Sequence, residues 1–74
     1  MAWENIEFLI TNNGQINIGD LAPVGCVAVA NDEHNTLAML RRRSQEPLSD
    51  LLTRLDQAIL MALEYDQFTD EVNG

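Results

Sequence analysis

Residues 47–65 read PLSDLLTRLDQAILMALEY, and the apolar side chains in this run recur with the period of one amphipathic α-helix. At about 100° per residue, these side chains fall within an arc of about 140°. They are Leu48, Leu51, Leu52, Leu55, Ala58, Ile59, Ala62 and Leu63. The run therefore predicts a C-terminal helix over residues 47–65, which at about 1.5 Å per residue would span about 30 Å and cross a four-stranded sheet.

Two apolar residues of this helix, Leu60 and Met61, project onto or beside its polar side. The helix consequently carries more apolar surface than one small core can cover. This excess indicates contact with a partner, and we expect both residues to belong to that contact.

The small size of the chain also favours association. A chain of 74 residues forms one domain, and such a domain buries only about 60% of the surface that its unfolded chain exposes. The single cysteine, Cys26, excludes an intrachain disulfide, and no Cys or His residues have the spacing of a zinc site. We therefore expect a homo-oligomer, most simply a two-fold dimer, without a metal or other cofactor.

The charge balance of the chain is strongly acidic. Lys and Arg together number 4, Asp and Glu together number 12, and the formal net charge is -8. Direct binding to nucleic acid is not expected, because proteins that bind the phosphate backbone need a basic surface. The sequence has no basic leader before an apolar run and no stretch of about 18 apolar residues, so we expect a cytoplasmic protein without a membrane partner.

Residues 6–18 predict a first β-hairpin. Ile6, Phe8 and Ile10 alternate with their neighbours, as in a half-buried strand, and the NNG of residues 12–14 marks a turn. A two-residue turn would place Ile16 and Ile18 on the wrong face of the sheet. A three-residue turn pairs Ile10 with Ile16 and Phe8 with Ile18, and we favour it.

A second hairpin is predicted over residues 26–42. Residues 19–25, with Pro23 and two glycines, are expected to connect the hairpins. Two short apolar runs then flank the polar residues 31–35. If the second run is a strand, a five-residue loop pairs Val29 with Leu37 and Val27 with Met39. A helical turn over residues 35–43 is the alternative.

These elements predict an α+β fold in which an antiparallel sheet of two hairpins, about four strands in the order ββββα, packs on the long C-terminal amphipathic helix. The covered face of this sheet is expected to carry Ile6, Phe8, Ile10, Ile16, Ile18, Val27, Val29, Leu37 and Met39. The opposite face would carry Cys26, Ala28, Ala30, Ala38 and Leu40. Because the solvated face of an antiparallel sheet should be polar, these small apolar residues indicate a second covered surface.

The domain is expected to span residues 1–66 and to be followed by an acidic tail over residues 67–74. Ser44 is a suitable N-cap for the helix, and Pro47 is tolerated only in its first turn. Beyond Tyr65 the apolar pattern stops. We expect Phe68 to dock on the domain and the last few residues to be mobile.

No residues form a pattern typical of a catalytic, cofactor-binding or metal site. Asp32, Glu33 and His34 are consecutive in a predicted loop, where adjacent side chains rarely converge on one ion. His34 has no nucleophile or orienting group in a recognisable arrangement. Cys26 lies in an apolar run and is expected to be a small buried residue. We therefore expect no enzymatic activity.

Three consecutive arginines, Arg41, Arg42 and Arg43, are the sharpest polar feature of the predicted domain. We expect them to pair with Glu46, Asp50 or the acidic tail, within one chain or between chains. The predicted interface combines helix, sheet, arginine and tail residues: Leu60, Met61, Ala28, Ala38, Leu40, Arg41, Arg42, Arg43 and Phe68.

Two kinds of function fit this pattern. The first is a homodimeric protein-protein interaction module. The alternative is an antitoxin-like or inhibitor-like protein whose acidic surface covers a basic protein partner. The run LLTRLDQAI over residues 51–59 and the acidic tail are similar to elements of small bacterial antitoxins, but they carry no diagnostic motif and no family is assigned.

Overall fold

A computed structural model describes residues 3–73, which form two helices and four strands. The elements are α1 (Glu4–Thr11), β1 (Gln15–Leu21), β2 (Gly25–Asn31), β3 (Thr36–Arg41), α2 (Leu48–Tyr65) and β4 (Thr69–Asp70). The strands form one sheet in the order β1-β2-β3-β4, and β4 alone is parallel to its neighbour. The fold is therefore α+β with a mixed sheet. Met1, Ala2 and Gly74, at the ends of the predicted domain and tail, lie outside the described residues.

The predicted C-terminal helix is confirmed as α2, which has 18 residues. Its N-cap is Pro47 in an extended conformation, without a side-chain cap, so the expected cap at Ser44 is wrong. Leu51, Leu55 and Ile59 from its apolar stripe are fully buried. At its end, Asp66 adopts a left-handed conformation with φ of 55° and stops the helix.

The predicted first strand is wrong, because residues 4–11 form helix α1. Alternation of Ile6, Phe8 and Ile10 suggested a strand, yet Ile6 and Leu9 also have the i, i+3 spacing of a helix face. Leu9 is buried, and Ile6 packs against the core beside it. Phe8, by contrast, is turned outward and is 57% exposed. A short apolar run fits both periods, and the tertiary contacts of this run favour the helix.

The NNG turn ends α1 and does not close a hairpin. Asn13 has a left-handed backbone with φ of 70°, and the Gly14 N–H donates to the Leu9 carbonyl at 2.8 Å. A Cβ at Gly14 would collide with the Leu9 side chain. The turn therefore brings the start of β1 directly beneath the one fully buried residue of α1.

The second hairpin is confirmed as β2 and β3, so residues 36–41 are a strand and not a helical turn. Its register differs by two residues from the expected one: Val29 lies opposite Met39, and Val27 lies opposite Arg41. A bulge between Ala30 and Asn31 accounts for the irregular pairing near the loop. Strands β1 and β2 are longer than expected and pair with each other. A tight turn joins them, in which the Val24 N–H donates to the Leu21 carbonyl.

The helices cover the opposite face of the β2–β3 hairpin from the one expected. Ala28 lies opposite Leu40 and Ala30 opposite Ala38, and all four side chains are buried in the core. Because β2 is apolar on both faces, its pattern fits either orientation. Small alanines at these positions leave room for α2 to lie close to the sheet. Of the four hairpin residues expected on the covered face, Val29 and Met39 are half-buried on the face turned away from the helices, whereas Leu37 is in the core and Val27 is 6% exposed.

One core joins both helices to the inner strands. Its buried members are Leu9, Ala28, Ala30, Leu37, Ala38, Leu40, Leu51, Leu55, Ala58 and Ile59, with Ile6, Ile16 and Ala62 packed against them. These residues come from α1, from α2 and, except for Leu37, from the even-numbered positions of the strands. The core therefore forms a single layer between the helices and the sheet.

The acidic tail contributes a strand that its sequence did not predict. Thr69 lies opposite Ala38 and Asp70 opposite Met39, in parallel pairing. The Glu71 N–H then donates to the Met39 carbonyl at 2.8 Å. Phe68, which was expected to dock, is 54% exposed. Backbone pairing to β3 therefore contributes to the attachment of the tail, whereas Phe68 is not buried.

Replacing Gly14 with alanine should lower the free energy of unfolding by about 1–3 kcal/mol, because the added methyl group overpacks the contact with Leu9. Gly19→Ala is the matched control, since a Cβ at Gly19 meets no atom within 4 Å. Urea unfolding followed by circular dichroism measures both variants. Equal stability of the two variants would contradict the described packing of α1 on the start of β1.

Candidate interaction site

The carboxylate of Asp56 on α2 caps the N-terminus of α1. Its Oδ1 accepts hydrogen bonds from the backbone N–H groups of Asn5 at 2.8 Å and Ile6 at 2.9 Å, and its Oδ2 accepts one from Asn5 Nδ2 at 3.0 Å. Trp3, at the N-cap position, supplies no side-chain cap. Asp56 is only 7% exposed, yet it is fully engaged by these donors. An anion at this end also suits the helix dipole.

This cap places α1 alongside α2 with one apolar side turned to the core. The Trp3 indole Nε1–H donates to Thr53 Oγ1 at 3.2 Å, which adds a second tie between the helices. Phe8 and Leu63 are then left beside each other at the surface. The sequence of α1 alone does not require this orientation, because Phe8 is as apolar as the residues that are buried.

A shallow groove runs between the two helices, and we refer to it as the helical groove. It is lined by Asn5, Phe8, Leu60, Leu63 and Glu64. Phe8 is 57% exposed and Leu63 is 43% exposed, while Leu60 is half-buried. The lining thus combines three large apolar side chains with two polar residues. Interfaces between proteins commonly have this arrangement.

Arg54 is the centre of a polar cluster on the other flank of α2. Its Nε lies 2.8 Å from Glu46 Oε2, and its Nη1 lies 3.1 Å from Glu71 Oε2. Its Nη2 donates to the Arg41 carbonyl at 2.9 Å. A single guanidinium therefore ties the segment before α2, the end of β3 and the acidic tail to the helix.

The cluster changes the acid-base properties of its members. Hydrogen bonds from the Arg54 side chain and from the Arg43 backbone N–H lower the pKa of Glu46 from 4.5 to about 2. The same bond with Glu46, together with that to Glu71, raises the pKa of Arg54. Both groups therefore stay charged across the physiological pH range.

The three consecutive arginines surround this cluster. Arg41 Nη2 donates to the Glu71 carbonyl at 3.2 Å, and the Arg41 N–H donates to Glu71 Oε1 at 3.0 Å. Arg42 Nε donates to the Glu46 carbonyl at 2.9 Å. The Arg43 N–H donates to Glu46 Oε1, while the Arg43 side chain is exposed. The arginine run thus contacts Glu46 and the acidic tail within one chain.

The other predicted interface residues are placed in three different environments. Ala28, Ala38 and Leu40 are buried in the core beneath α2, and of the three only Leu40 reaches the floor of a surface groove. Leu60 lines the helical groove, whereas Met61 lines a second groove on the opposite flank of α2. The structure therefore separates these residues and brings Leu60 together with Phe8 and Leu63.

The loop that carries Asp32, Glu33 and His34 is held by hydrogen bonds to the Asp32 side chain. Asp32 Oδ1 accepts hydrogen bonds from the backbone N–H groups of His34 at 2.8 Å and Asn35 at 2.6 Å, which lowers the pKa of Asp32. Within residues 3–73, no group of three His, Cys, Asp or Glu side chains is arranged to hold a metal ion. Cys26 is half-buried, and not fully buried as expected.

Three residues that shape the site were missed from the sequence: Phe8, Arg54 and Asp56. Arg54 and Asp56 act on partners that are distant in the chain, so no local pattern reveals their contacts. One signal was present for Arg54, which is the only basic residue after the arginine run. Asp56 borders the apolar stripe beside Leu63, a position where a polar side chain is partly buried and needs a partner.

Neither helix of the described chain is long and apolar enough to cross a lipid bilayer. Comparison of the chain with protein-family models, with curated proteins and with solved structures gave no match in any of the three.

The ion pair between Glu46 and Arg54 should stabilise the folded chain at neutral pH and lose this effect in acid. Because the folded chain holds the pKa of Glu46 at about 2 and the ordinary value is 4.5, its contribution is complete above pH 4.5 and is lost as the pH falls toward 2. The free energy of unfolding of the wild-type chain should therefore fall more steeply than that of Glu46→Gln in this range. Denaturant unfolding at several pH values measures the difference.

Glu33→Gln serves as the control for this experiment, because it removes a carboxylate from an exposed loop outside the cluster. Its pH profile should follow that of the wild-type chain. Parallel profiles for the wild-type chain and Glu46→Gln would refute the stabilising role of the ion pair between Glu46 and Arg54.

Proposed function

We propose that this chain is a protein-protein interaction module that acts as a two-fold homodimer, with the helical groove as the contact between the two copies. The observation that carries the proposal is that Phe8 and Leu63, both exposed, line one groove together with Leu60. Soluble domains rarely leave such neighbouring large apolar side chains in water unless they bind another surface.

The geometry of the groove suits a contact between identical surfaces. In a two-fold interface, a residue of one copy contacts a second residue of its partner and the reverse contact also forms. Phe8 of each copy can then fill the partner's groove beside Leu63. The two polar lining residues, Asn5 and Glu64, would remain accessible to water at the edge of the contact and supply polar contacts.

A dimer contact needs more area than Phe8 alone can supply. A stable interface covers about 800 Å² on each partner, which is about one sixth of the 4944 Å² surface of this chain. A buried aromatic side chain accounts for about 150–250 Å² of such an area. Phe8, with more than half of its side chain exposed, would therefore be the main anchor, and its neighbours would complete the contact.

The proposal assigns no catalytic role to the chain. The carboxylates with lowered pKa are Asp32, Glu46 and Asp70, and each one accepts hydrogen bonds from backbone N–H groups or from Arg54. Such contacts fix the carboxylates in the charged form and hold local structure. A general acid at neutral pH would instead need a raised pKa in a cleft.

A second candidate is an inhibitor-like protein that covers a basic partner. It is favoured by the distribution of charge, because the arginines contact Glu46 and the tail while many acidic side chains face solvent. Exposed examples are Glu7, Asp20, Glu33, Asp50, Glu64 and Asp66. Purification of a basic protein together with this chain, and its release at high salt, would favour this second function.

The dimer proposal is tested by substituting residues that line the helical groove and measuring self-association of the variants. Leu63→Gln and Phe8→Gln should each raise the dimer dissociation constant by about tenfold or more, because they remove central apolar contacts. Leu48→Gln is the matched control, since Leu48 is 47% exposed on the same helix but lies about 22 Å away along its axis. Sedimentation equilibrium on the purified chains gives the three constants.

A wild-type chain that remains monomeric at high micromolar concentration would contradict the dimer. An equal effect of Leu48→Gln and Leu63→Gln would instead show that the copies meet elsewhere.

A further inference from the structure

The outer edge of β3 is only partly occupied. β3 spans six residues, Thr36–Arg41, whereas β4 has two residues and pairs with Ala38 and Met39. The start of β3, at Thr36 and Leu37, faces a surface pocket that is also lined by Gln67 and Phe68. The edge can therefore accept a longer parallel strand than the one that the tail supplies.

A groove beside this edge continues onto α2, and we refer to it as the β3 groove. It contains Leu40, Arg43, Arg54, Met61, Thr69 and Glu71. Of the nine residues that line the β3 groove, Thr69 and Glu71 come from the tail and the other seven come from the domain. The tail thus binds as an extended segment, with backbone pairing to β3 and a carboxylate on Arg54.

All four basic residues of the chain lie around the end of β3. Of these, only Arg54 forms salt bridges with carboxylates within residues 3–73. The guanidinium groups of Arg41 and Arg42 bind backbone carbonyls, and Arg43 is exposed in the β3 groove. The guanidinium groups of Arg41 and Arg43 are therefore available to carboxylates of an incoming segment, on a chain whose net charge is -8, whereas that of Arg42 is directed to Glu46.

We propose that the β3 groove is a docking site for an extended acidic segment of another protein, and that the C-terminal tail of this chain occupies the site when that segment is absent. The incoming segment pairs in parallel along the whole of β3. Its carboxylates take the place of Glu71 on Arg54 and also reach Arg41 and Arg43. This site is on the opposite flank of α2 from the helical groove, so it does not depend on the dimer proposal.

The attachment of the tail allows such an exchange. The tail follows α2 after a short connection in which Asp66 has a left-handed backbone and the Gln67 N–H donates to the Met61 carbonyl. Only two residues then pair with β3. Because the tail belongs to the same chain, its effective concentration is high and a competitor needs additional contacts. The longer backbone pairing and the extra carboxylates provide them.

Fluorescence anisotropy with a labelled peptide tests the proposal on the full chain. The acidic probe is Val-Thr-Val-Thr-Asp-Glu-Glu, and the neutral probe has Asn-Gln-Gln at its end. Glu71→Gln, which weakens the tail, should bind the acidic probe about tenfold more tightly than the wild-type chain does. The neutral probe should bind Glu71→Gln about tenfold more weakly than the acidic probe does.

Arg43→Ala, introduced into the Glu71→Gln chain, should weaken binding of the acidic probe by about fivefold, because the exposed Arg43 side chain lines the groove and forms no direct salt bridge there among the described residues. Arg42→Ala in the same background is the control, since the Arg42 guanidinium binds the Glu46 carbonyl outside the β3 groove. Equal binding of the acidic and neutral probes, or equal effects of the two arginine substitutions, would overturn the proposal. A peptide of residues 67–73 that binds as tightly as the acidic probe would also overturn it, and would assign the site to the tail of a second copy.

Hydrogen exchange on the wild-type chain provides a measurement that does not depend on the folding of any variant. The Glu71 N–H, bonded to the Met39 carbonyl, should lose its protection when the acidic probe is saturating. Continued protection of this amide with the probe bound would place the probe elsewhere and refute the exchange.

Discussion

The Asp56 carboxylate accepts hydrogen bonds from the first turn of α1, and these bonds determine how α1 packs on the rest of the chain. An isolated helix of 8 residues is unstable in water, so α1 depends on tertiary contacts. The Asp56 carboxylate provides the missing cap and orients α1 along α2. Leu9 consequently enters the core, and Phe8 faces solvent beside Leu63. The helical groove, and with it the proposed dimer contact, is a consequence of this buried carboxylate.

Arg54 has the corresponding role for the C-terminal part of the chain. It lies two residues before Asp56 but points to the other flank of α2, where it holds Glu46, Glu71 and the end of β3. The apolar stripe of α2 packs on the sheet. Asp56 and Arg54 attach α1 and the acidic tail to α2 by polar contacts. Each flank of α2 thus carries one surface: the helical groove beside Asp56 and the β3 groove beside Arg54.

The sequence predicted the elements whose pattern is long or bounded by clear turns. The period of α2 extends over 18 residues, and the strands β2 and β3 are bounded by polar loops. The short run of α1 fits two periods, and β2 is apolar on both faces, so local patterns could not choose the helix or the covered face. The sequence predicted one apolar residue in each groove as surface apolar area: Leu60 in the helical groove and Met61 in the β3 groove. Asp56 and Arg54 were not predicted, because their partners are separated from them by up to 51 residues or lie in the tail.

Backbone ¹³Cα chemical shifts of the wild-type chain and of Asp56→Ala, with Asp50→Ala as the control, test whether the buried carboxylate holds α1. In the wild-type chain and in Asp50→Ala, residues 4–11 and 48–65 should both have helical shifts. In Asp56→Ala, residues 4–11 should lose them while residues 48–65 keep them, because two N–H groups of α1 lose their acceptor at a cost of about 1–3 kcal/mol each. Strand-like shifts over residues 4–11 in the wild-type chain, or helical shifts that persist there in Asp56→Ala, would contradict the role assigned to Asp56.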